Sequence, residues 1–154
     1  MVKIKRMSPL EYQKRLQPLL NQSRLEQIVS EIVISDQRRL KEEKVNEWEQ
    51  GLRPNGDKIG VYRDAEYAIF KDNINPRANG YVDLLLTRGT ANSLYVHKGR
   101  EKRGFLFGMN DRYNLVGQYG LDILGLNQET FEKRQADIYR YTLVYIIKKD
   151  YKIW

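Results

Sequence analysis

The chain has 154 residues, of which 41% are hydrophobic and 31% are charged, and its 27 basic and 20 acidic side chains give a net charge of +7. This composition is typical of one soluble globular domain with a real hydrophobic core. The lack of cysteine excludes disulfides and thiolate metal sites, and the single histidine, His97, disfavours a zinc site.

The first third of the sequence predicts helices. Ser8-Pro9-Leu10-Glu11 has the pattern of a capping box with proline at the first helical position, and Pro18 breaks or restarts the helix. No further glycine or proline occurs before Gly51, which is a suitable C-terminal stop. One helix of this length would measure about 50 Å, more than a domain of this size can cover. The helix is therefore expected either to break near Ile34-Ser35-Asp36 or to project and pack on another chain.

The second half of this helical region is strongly charged but carries Leu40, Val45 and Trp48, which favour contact with another chain. Trp154 at the end of "YKIW" is expected to dock on the chain itself or on a neighbour. These four residues form the predicted subunit interface. Five acidic residues of this region are expected on a solvated face: Asp36, Glu42, Glu43, Glu47 and Glu49. Their expected partners are Arg39, Lys41 and Lys44.

The middle of the chain is predicted to contain loops and short strands. Residues 51–60 and 73–80 are rich in turn residues, and "VYRDAEYAIF" between them predicts a strand or a short helix. Strands are predicted at Val82–Leu86, in "LYV" and in "FLFGM". The segment between the first two strands contains Gly89 and Asn92, which tolerate the positive φ of a hairpin turn.

The last third predicts two helices. "NDRYNLVGQYG" has the pattern of a short helix, capped by Asn110 or Asp111 and closed by Gly120. Asn127 is the expected N-cap of a long C-terminal helix with one buried apolar stripe. The expected fold is α+β, in which a helical N-terminal arm (residues 1–50) and a core domain (residues 51–154) form one structural unit. The core domain would hold a small, mostly antiparallel sheet with a hairpin, a short helix and the C-terminal helix.

No pattern of residues predicts a catalytic centre, a metal site or a cofactor site. Ser93 has no suitably placed base, since His97 lies four residues further along the same run. The segment before it has one glycine and no lysine, which does not fit a phosphate-binding loop. Asp64 and Glu66 have the spacing of two carboxylates on one face of a strand, but the spacing is generic.

The densest basic cluster is "HKGREKRG", with Lys98, Arg100, Lys102 and Arg103 around Glu101. Such a cluster suits DNA phosphates or an acidic protein face, and it equally suits a solvated loop tip. The eleven tyrosines fit a protein interface or a core better than base stacking.

No segment predicts insertion into a membrane. The basic N-terminus lacks the apolar stretch of a secretory signal, and the longest apolar run, Tyr141–Ile147, is too short to span a bilayer. Assembly in the cytoplasm is the default expectation.

Several segments resemble proteins of tailed bacteriophages. "LLLTRGTANSLYV" resembles the L-T-G-x-L-x-x-S-I hairpin of virion-morphogenesis and tail-completion proteins, with T-R-G-T in place of T-G. "ILGLNQETFEKRQADIYRYTL" is similar to the same family's ending, and Glu66-Tyr67-Ala68 is similar to its Y-A strand, although that strand follows the hairpin in the family. The sequence from Leu52 to Thr87 resembles neck or tail-region proteins of phages that infect gut Bacteroidetes, including the crAss-like group.

The resemblance implies a structural protein of the virion neck or tail region, with neither enzymatic activity nor a cofactor. Such proteins assemble in the host cytoplasm as homo-oligomeric rings, often of six or twelve copies, that join head to tail around the DNA channel. Portal, adaptor or tail proteins would be the partners, together with non-specific contact to channel DNA. The alternative hypothesis is a basic nucleic-acid-binding phage protein.

Overall fold

The computed structural model describes residues 7–85, 88–98 and 105–153. The chain is mostly helical, and its described part contains one two-stranded antiparallel sheet. In chain order the helices and strands are α1 (Pro9–Leu16), α2 (Gln22–Ser35), α3 (Gln37–Glu49), α4 (Ala65–Ile74), α5 (Arg88–Ser93), β1 (Tyr95–Lys98), β2 (Phe105–Gly108), α6 (Leu115–Tyr119), α7 (Gln128–Arg134) and α8 (Arg140–Asp150). Short 3-10 turns lie at Gln17–Leu20, Pro76–Ala78 and Leu121–Leu124, and a π-helical segment at Gln135–Tyr139 joins α7 to α8.

Two of the capping signals of the helices act as the sequence predicts. Ser8 and Glu11 form the full capping box of α1, in which each side chain accepts a hydrogen bond from the other residue's backbone. The Asp111 carboxylate accepts hydrogen bonds from the backbone of Leu115 and Val116 at the start of α6. Asn127 caps α7 by accepting from the Thr130 backbone at 3.2 Å. The caps at Ser8 and Asn127 are confirmed, whereas α6 begins later than predicted, with Asn114 at its N-cap position and Asp111 reaching its first turn from three residues earlier.

The long helical region breaks at Asp36, where α2 ends and α3 begins. This confirms the first of the two alternatives, so no single rod forms. The Ser35 hydroxyl donates to the Ile32 carbonyl oxygen at 2.7 Å, and the Asp36 backbone has φ −91° and ψ 4°, which is outside the α-helical range. The break lets both helices pack on one core.

Leu40 and Trp48 lie inside this core and are completely buried, which corrects their assignment to a subunit interface. Val45 is half-buried and packs against the same core. Leu40, Lys44 and Trp48 are spaced four residues apart, so the three side chains share the inner face of α3. Trp154 lies outside the described residues.

The strands also differ from the expectation. The hairpin joins β1 to β2, with Tyr95 opposite Gly108 and Lys98 opposite Phe105. Over its described part, residues 82–85, the predicted strand does not form: Val82 and Leu84 are buried in an irregular segment, and the bridge beside it pairs Tyr81 with Val61. The small sheet is thus a single hairpin, and the surrounding structure is helical.

Gly89 and Asn92 lie in α5, so their assignment to a hairpin turn is wrong. The reason is tertiary packing: Thr90 is buried, and the Ser93 hydroxyl donates to the Thr90 carbonyl oxygen at 2.8 Å and accepts from the Asn110 backbone at 3.2 Å. Thr87, before α5, lies outside the described residues. Residues 99–104, between β1 and β2, lie outside them as well.

One hydrophobic core joins the two halves of the described chain. Ile28 and Ile32 of α2 belong to the same buried cluster as Val96 of β1, Ile123 and Tyr139. The residues assigned to an N-terminal arm and to a core domain therefore share their buried surface. Among the described residues, no helix has both the length and the apolar character needed to cross a membrane.

Candidate interaction surfaces

The most elaborate polar cluster surrounds the buried carboxylate of Asp83. Its Oδ1 lies 2.5 Å from the ammonium nitrogen of Lys71, and its Oδ2 accepts a hydrogen bond from the Asn75 amide at 2.7 Å. The Asp83 backbone N–H donates to the Tyr62 hydroxyl oxygen at 3.1 Å, and the Leu85 backbone donates to Oδ1. Each charge is satisfied within the chain, as a buried ion pair requires.

The Asp83 cluster connects α4 to α3 and to the irregular segment of residues 81–85. Lys71 also donates to the Leu85 carbonyl oxygen at 3.2 Å, and Asn75 donates to the Glu49 carbonyl oxygen at 2.9 Å. Burial raises the pKa of the Tyr62 hydroxyl, so the phenol stays neutral. Next to it, the buried Tyr67 hydroxyl has no hydrogen-bond partner among the described residues, and its ring contacts Tyr62 edge to face.

A second buried pair joins α3 to the start of α7. The Lys44 ammonium donates to Glu47 Oε2 at 2.8 Å, and Glu47 Oε1 accepts from the Asn127 backbone at 3.0 Å. Burial lowers the pKa of Lys44. The ammonium also lies 5.8 Å from the centre of the Trp48 ring, a favourable cation–π distance. Both Lys44 and Glu47 were expected on a solvated face, and both are buried instead.

The third cluster fixes the junction of α2 and α3 to the C-terminal helix. The Arg134 guanidinium makes two parallel hydrogen bonds of 2.6 Å to the Asp36 carboxylate, and the Tyr139 hydroxyl donates to the same carboxylate at 2.8 Å. The hydrogen bonds to Asp36 raise the pKa of Arg134, and burial raises that of Tyr139. This bidentate geometry is the strong form of an arginine–carboxylate pair.

These three clusters serve folding, because their charged groups are turned inward and paired with one another. A lysine with a lowered pKa is a reactive group only where a substrate reaches it, and Lys44 is fully buried. Asp64 caps α4 through the Tyr67 backbone, while Glu66 lies in the first turn of that helix. Across residues 7–85, 88–98 and 105–153, no group of three or more potential ligands is placed to hold a metal ion.

Ser93 and His97 do not form a nucleophile and base pair. The Ser93 hydroxyl is used within the chain by Thr90 and Asn110, as described above. His97 is exposed on β1, where its Nδ1 lies 3.0 Å from the Lys98 carbonyl oxygen and its ring packs beside Tyr95.

A groove of about 1080 Å³, open to solvent, lies between α3, the end of α4 and α5. Its charged walls are paired across short distances, since Arg38 bonds Glu42 and Arg77 bonds both Glu49 and Asn46. Such mutual pairing leaves fewer of these charged groups available to a small ligand.

The outer surface of α4 is apolar. Ile69, Phe70 and Ile74 are all exposed, with 57% of Phe70 accessible to solvent. Glu66 lies one turn before Phe70, so the acidic side chain is on the same side of the helix. We call these four residues the α4 face. The exposed charges near it are mixed, with Asp64 and Glu66 against Arg63 and Arg77, while Asp72 is two residues from Phe70 and lies on another side of the helix.

The outer surface of the C-terminal helix carries a second apolar strip, at Ile138, Tyr141, Val144 and Tyr145, with 73% of Tyr141 exposed. Lys148 lies four residues after Val144 and joins the same side. We call these five residues the C-terminal face. Its exposed charges are basic on balance, with Arg140, Lys148, Lys149 and Lys152 against Asp137 and Asp150.

The sequence identified neither face as an exposed surface. Both faces consist of apolar residues three and four positions apart. The same spacing is typical of a buried helix face, so it does not tell an exposed face from a buried one. In α8 the buried side is formed by Leu143 and Ile146, which pack against the core, while Tyr141 and Tyr145 point outward. Of the predicted basic cluster, Lys98 ends β1, and Arg100, Lys102 and Arg103 lie outside the described residues.

No protein family model matches the sequence, and neither curated proteins nor solved structures gave a significant match.

Proposed function

We propose that this chain is a structural subunit that works by assembling with copies of itself, as a ring of a tailed-bacteriophage head–tail connector or tail-completion complex. The observation that carries the proposal is the presence of two separate apolar faces, on α4 and on the C-terminal helix. A monomeric soluble protein rarely leaves contiguous apolar surface of a few hundred Å² or more exposed, and such patches mark sites of association.

The internal structure supports the same proposal. A subunit that must present two faces in a fixed relation benefits from a rigid body, and the Asp83, Glu47 and Asp36 clusters join distant segments through buried, hydrogen-bonded charges. The resemblance of "LLLTRGTANSLYV" and of the C-terminal helix to tail-completion proteins gives the proposal its phage context. A ring in the virion neck would have six or twelve copies around the DNA, with portal, adaptor or tail proteins above and below.

Electron microscopy of the purified chain, combined with its mass in solution, tests this proposal. We expect closed particles with a central opening that form without DNA. A species of 18.3 kDa at every concentration and salt condition would contradict self-assembly.

A second candidate function is nucleic-acid binding, which the net charge of +7 and the interleaving of Tyr141, Tyr145, Lys148 and Lys149 favour. Tyrosine beside lysine is a known platform for single-stranded bases. This candidate predicts binding of single-stranded DNA by a monomer or dimer, with an affinity that falls steeply as salt rises. Fluorescence anisotropy with a labelled oligonucleotide at 50 and 200 mM salt separates the two functions.

A further inference from the structure

We propose that the π-helical segment Gln135–Tyr139 is a conformational device that sets the rotation of α8, so that the C-terminal helix binds Asp36 twice and turns the C-terminal face outward. The segment holds one residue more than an α-helical turn, because the Arg140 backbone donates to the Gln135 carbonyl oxygen, five residues back. This device acts within a single chain, so it does not depend on assembly.

Two side chains of the C-terminal helix reach the Asp36 carboxylate from positions five residues apart. Arg134 comes directly before the π-helical segment and binds both carboxylate oxygens, while Tyr139, at the end of the segment, donates to Oδ2. In an uninterrupted α-helix, residues five apart point about 140° away from each other. The extra residue brings Tyr139 to the place that residue i+4 has in an α-helix, on the same side as Arg134.

The same extra residue connects two stretches of the helix that face the core. Before the π-helical segment, Phe131 packs against the core and Arg134 follows it by three residues. After it, Tyr139 is buried, and Leu143 and Ile146 pack against the core at steps of four and three residues. Steps of three and four residues follow one side of an α-helix, so the step of five from Arg134 to Tyr139 requires the π-helical segment.

The rotation of α8 decides which side chains are displayed to solvent. If the C-terminal helix were α-helical throughout, every residue after the segment would be rotated by about 100°. Thr142 would then take the inward site of Leu143, and Leu143 would take the site of Val144, which is 51% exposed. Likewise, Tyr145 would replace Ile146 on the inward side. The π-helical segment therefore keeps the more apolar stripe inside and the C-terminal face outside.

Deletion of Ala136 tests whether the segment sets the rotation through one extra residue. Ala136 is exposed within the segment, and its deletion leaves an α-helix in which Arg134 and Tyr139 are four residues apart and still share a side. Both contacts with Asp36 and the inward stripe of α8 should be retained. We expect this variant to unfold within about 4 °C of the wild-type chain.

Deletion of Lys133 is the matched control, because it also removes one exposed residue from the same helix. This deletion leaves Arg134 two residues after Phe131 and rotates it by about 100°, so Asp36 loses its arginine. The unfolding temperature should fall by about 8 °C or more. Lys133→Ala, which should unfold close to the wild-type temperature, accounts for the loss of the lysine side chain.

Two single-cysteine reporters follow the rotation of α8 directly, because the chain has no cysteine of its own. Tyr141→Cys places a thiol on the exposed side, and Leu143→Cys places one against the core. At concentrations at which the chain is monomeric, position 141 should react with a maleimide at least about tenfold faster than position 143. The same ratio is expected in the chain that lacks Ala136. Ile146→Cys replaces Leu143→Cys if circular dichroism shows that the latter is unfolded.

Equal destabilisation by the two deletions would overturn the inference, as would a chain that cannot fold without Ala136. Equal thiol reactivity at positions 141 and 143 in the folded variant would overturn it as well. Neither measurement requires assembly, so a chain that never associates would contradict the proposed function and leave this inference intact.

Discussion

Trp48 donates its indole hydrogen to the carbonyl oxygen of Ile123 at 3.0 Å, and both residues are completely buried. The bond fastens α3 to the 3-10 turn at Leu121–Leu124, 75 residues further along the chain. Trp48 therefore stabilises the fold of the chain, because its ring is enclosed in the chain's own core.

Trp48→Phe should lower the free energy of unfolding by about 2–4 kcal/mol, because the Ile123 carbonyl loses its donor and the smaller ring leaves a cavity. Urea denaturation followed by circular dichroism measures the loss. Assembly should be unchanged when it is measured without urea, under conditions in which the variant is folded. Unchanged stability with lost assembly would restore Trp48 to the interface.

The Lys71–Asp83 pair gives a second stability prediction. Lys71→Met should cost about 3–5 kcal/mol, because it leaves the Asp83 carboxylate buried without its cation. The double variant Lys71→Met/Asp83→Asn removes both charges, so its loss should be smaller than the sum of the single losses by about 1–3 kcal/mol. Additive losses in this double-mutant cycle would show that the two side chains are not coupled.

How much of this structure the sequence predicts depends on how far apart in the chain the interacting residues lie. The caps at Ser8 and Asn127 and the stops at Gly51 and Gly120 depend on neighbours within a few residues, and all are present, while the start of α6 lies at Asn114 and not at Asn110 or Asp111 as predicted. The break at Asp36 was one of two alternatives. The sequence shows that a single helix would be too long for the domain, but it does not show whether that helix breaks or projects onto another chain.

The errors concern residues whose environment is set by distant segments. Lys44 interrupts the apolar spacing of Leu40 and Trp48, so the inner face of α3 is hidden in the sequence as a charged stretch. Its burial depends on Glu47, which in turn is held by the backbone of Asn127. Likewise, Gly89 and Asn92 are good turn residues, but packing of Thr90 and the contact with Asn110 select a helix.

Gly51 provides a test of backbone conformation with a matched control. Its φ is +65°, and an added Cβ would lie 2.9 Å from the Val82 carbonyl oxygen, so Gly51→Ala should cost more than about 1 kcal/mol. Gly60 has open space at the corresponding position and no positive φ, so Gly60→Ala should change stability by less than about 0.5 kcal/mol. Equal effects in thermal unfolding would contradict the strained geometry at Gly51.

Stability at alkaline pH should report on the buried tyrosines. The folded-state pKa of Tyr139 is raised, so its contribution to stability is fully present below about pH 10, the ordinary pKa of a phenol, and is lost as the pH rises from there toward the raised value. Tyr62 acts with the same sign. Lys44 acts with the opposite sign, because its lowered pKa makes stability rise with pH until about pH 10.5, where the unfolded lysine has lost its proton.

Tyr139→Phe isolates one of these contributions. The variant should be about 1.5–3 kcal/mol less stable at pH 7, since the hydrogen bond to the Asp36 carboxylate is lost. Between pH 10 and 11.5 its free energy of unfolding should fall less steeply than that of the wild-type chain. Parallel pH profiles from urea titrations would refute the contribution of Tyr139.

The most direct test of self-assembly is the mass distribution of the wild-type chain in solution, measured by mass photometry and sedimentation velocity over increasing protein concentration. We expect one discrete species that contains more than two chains, with a mass that is a whole multiple of 18.3 kDa, formed at the expense of the monomer. A monomer at all concentrations, or a dimer that grows no further, would contradict it.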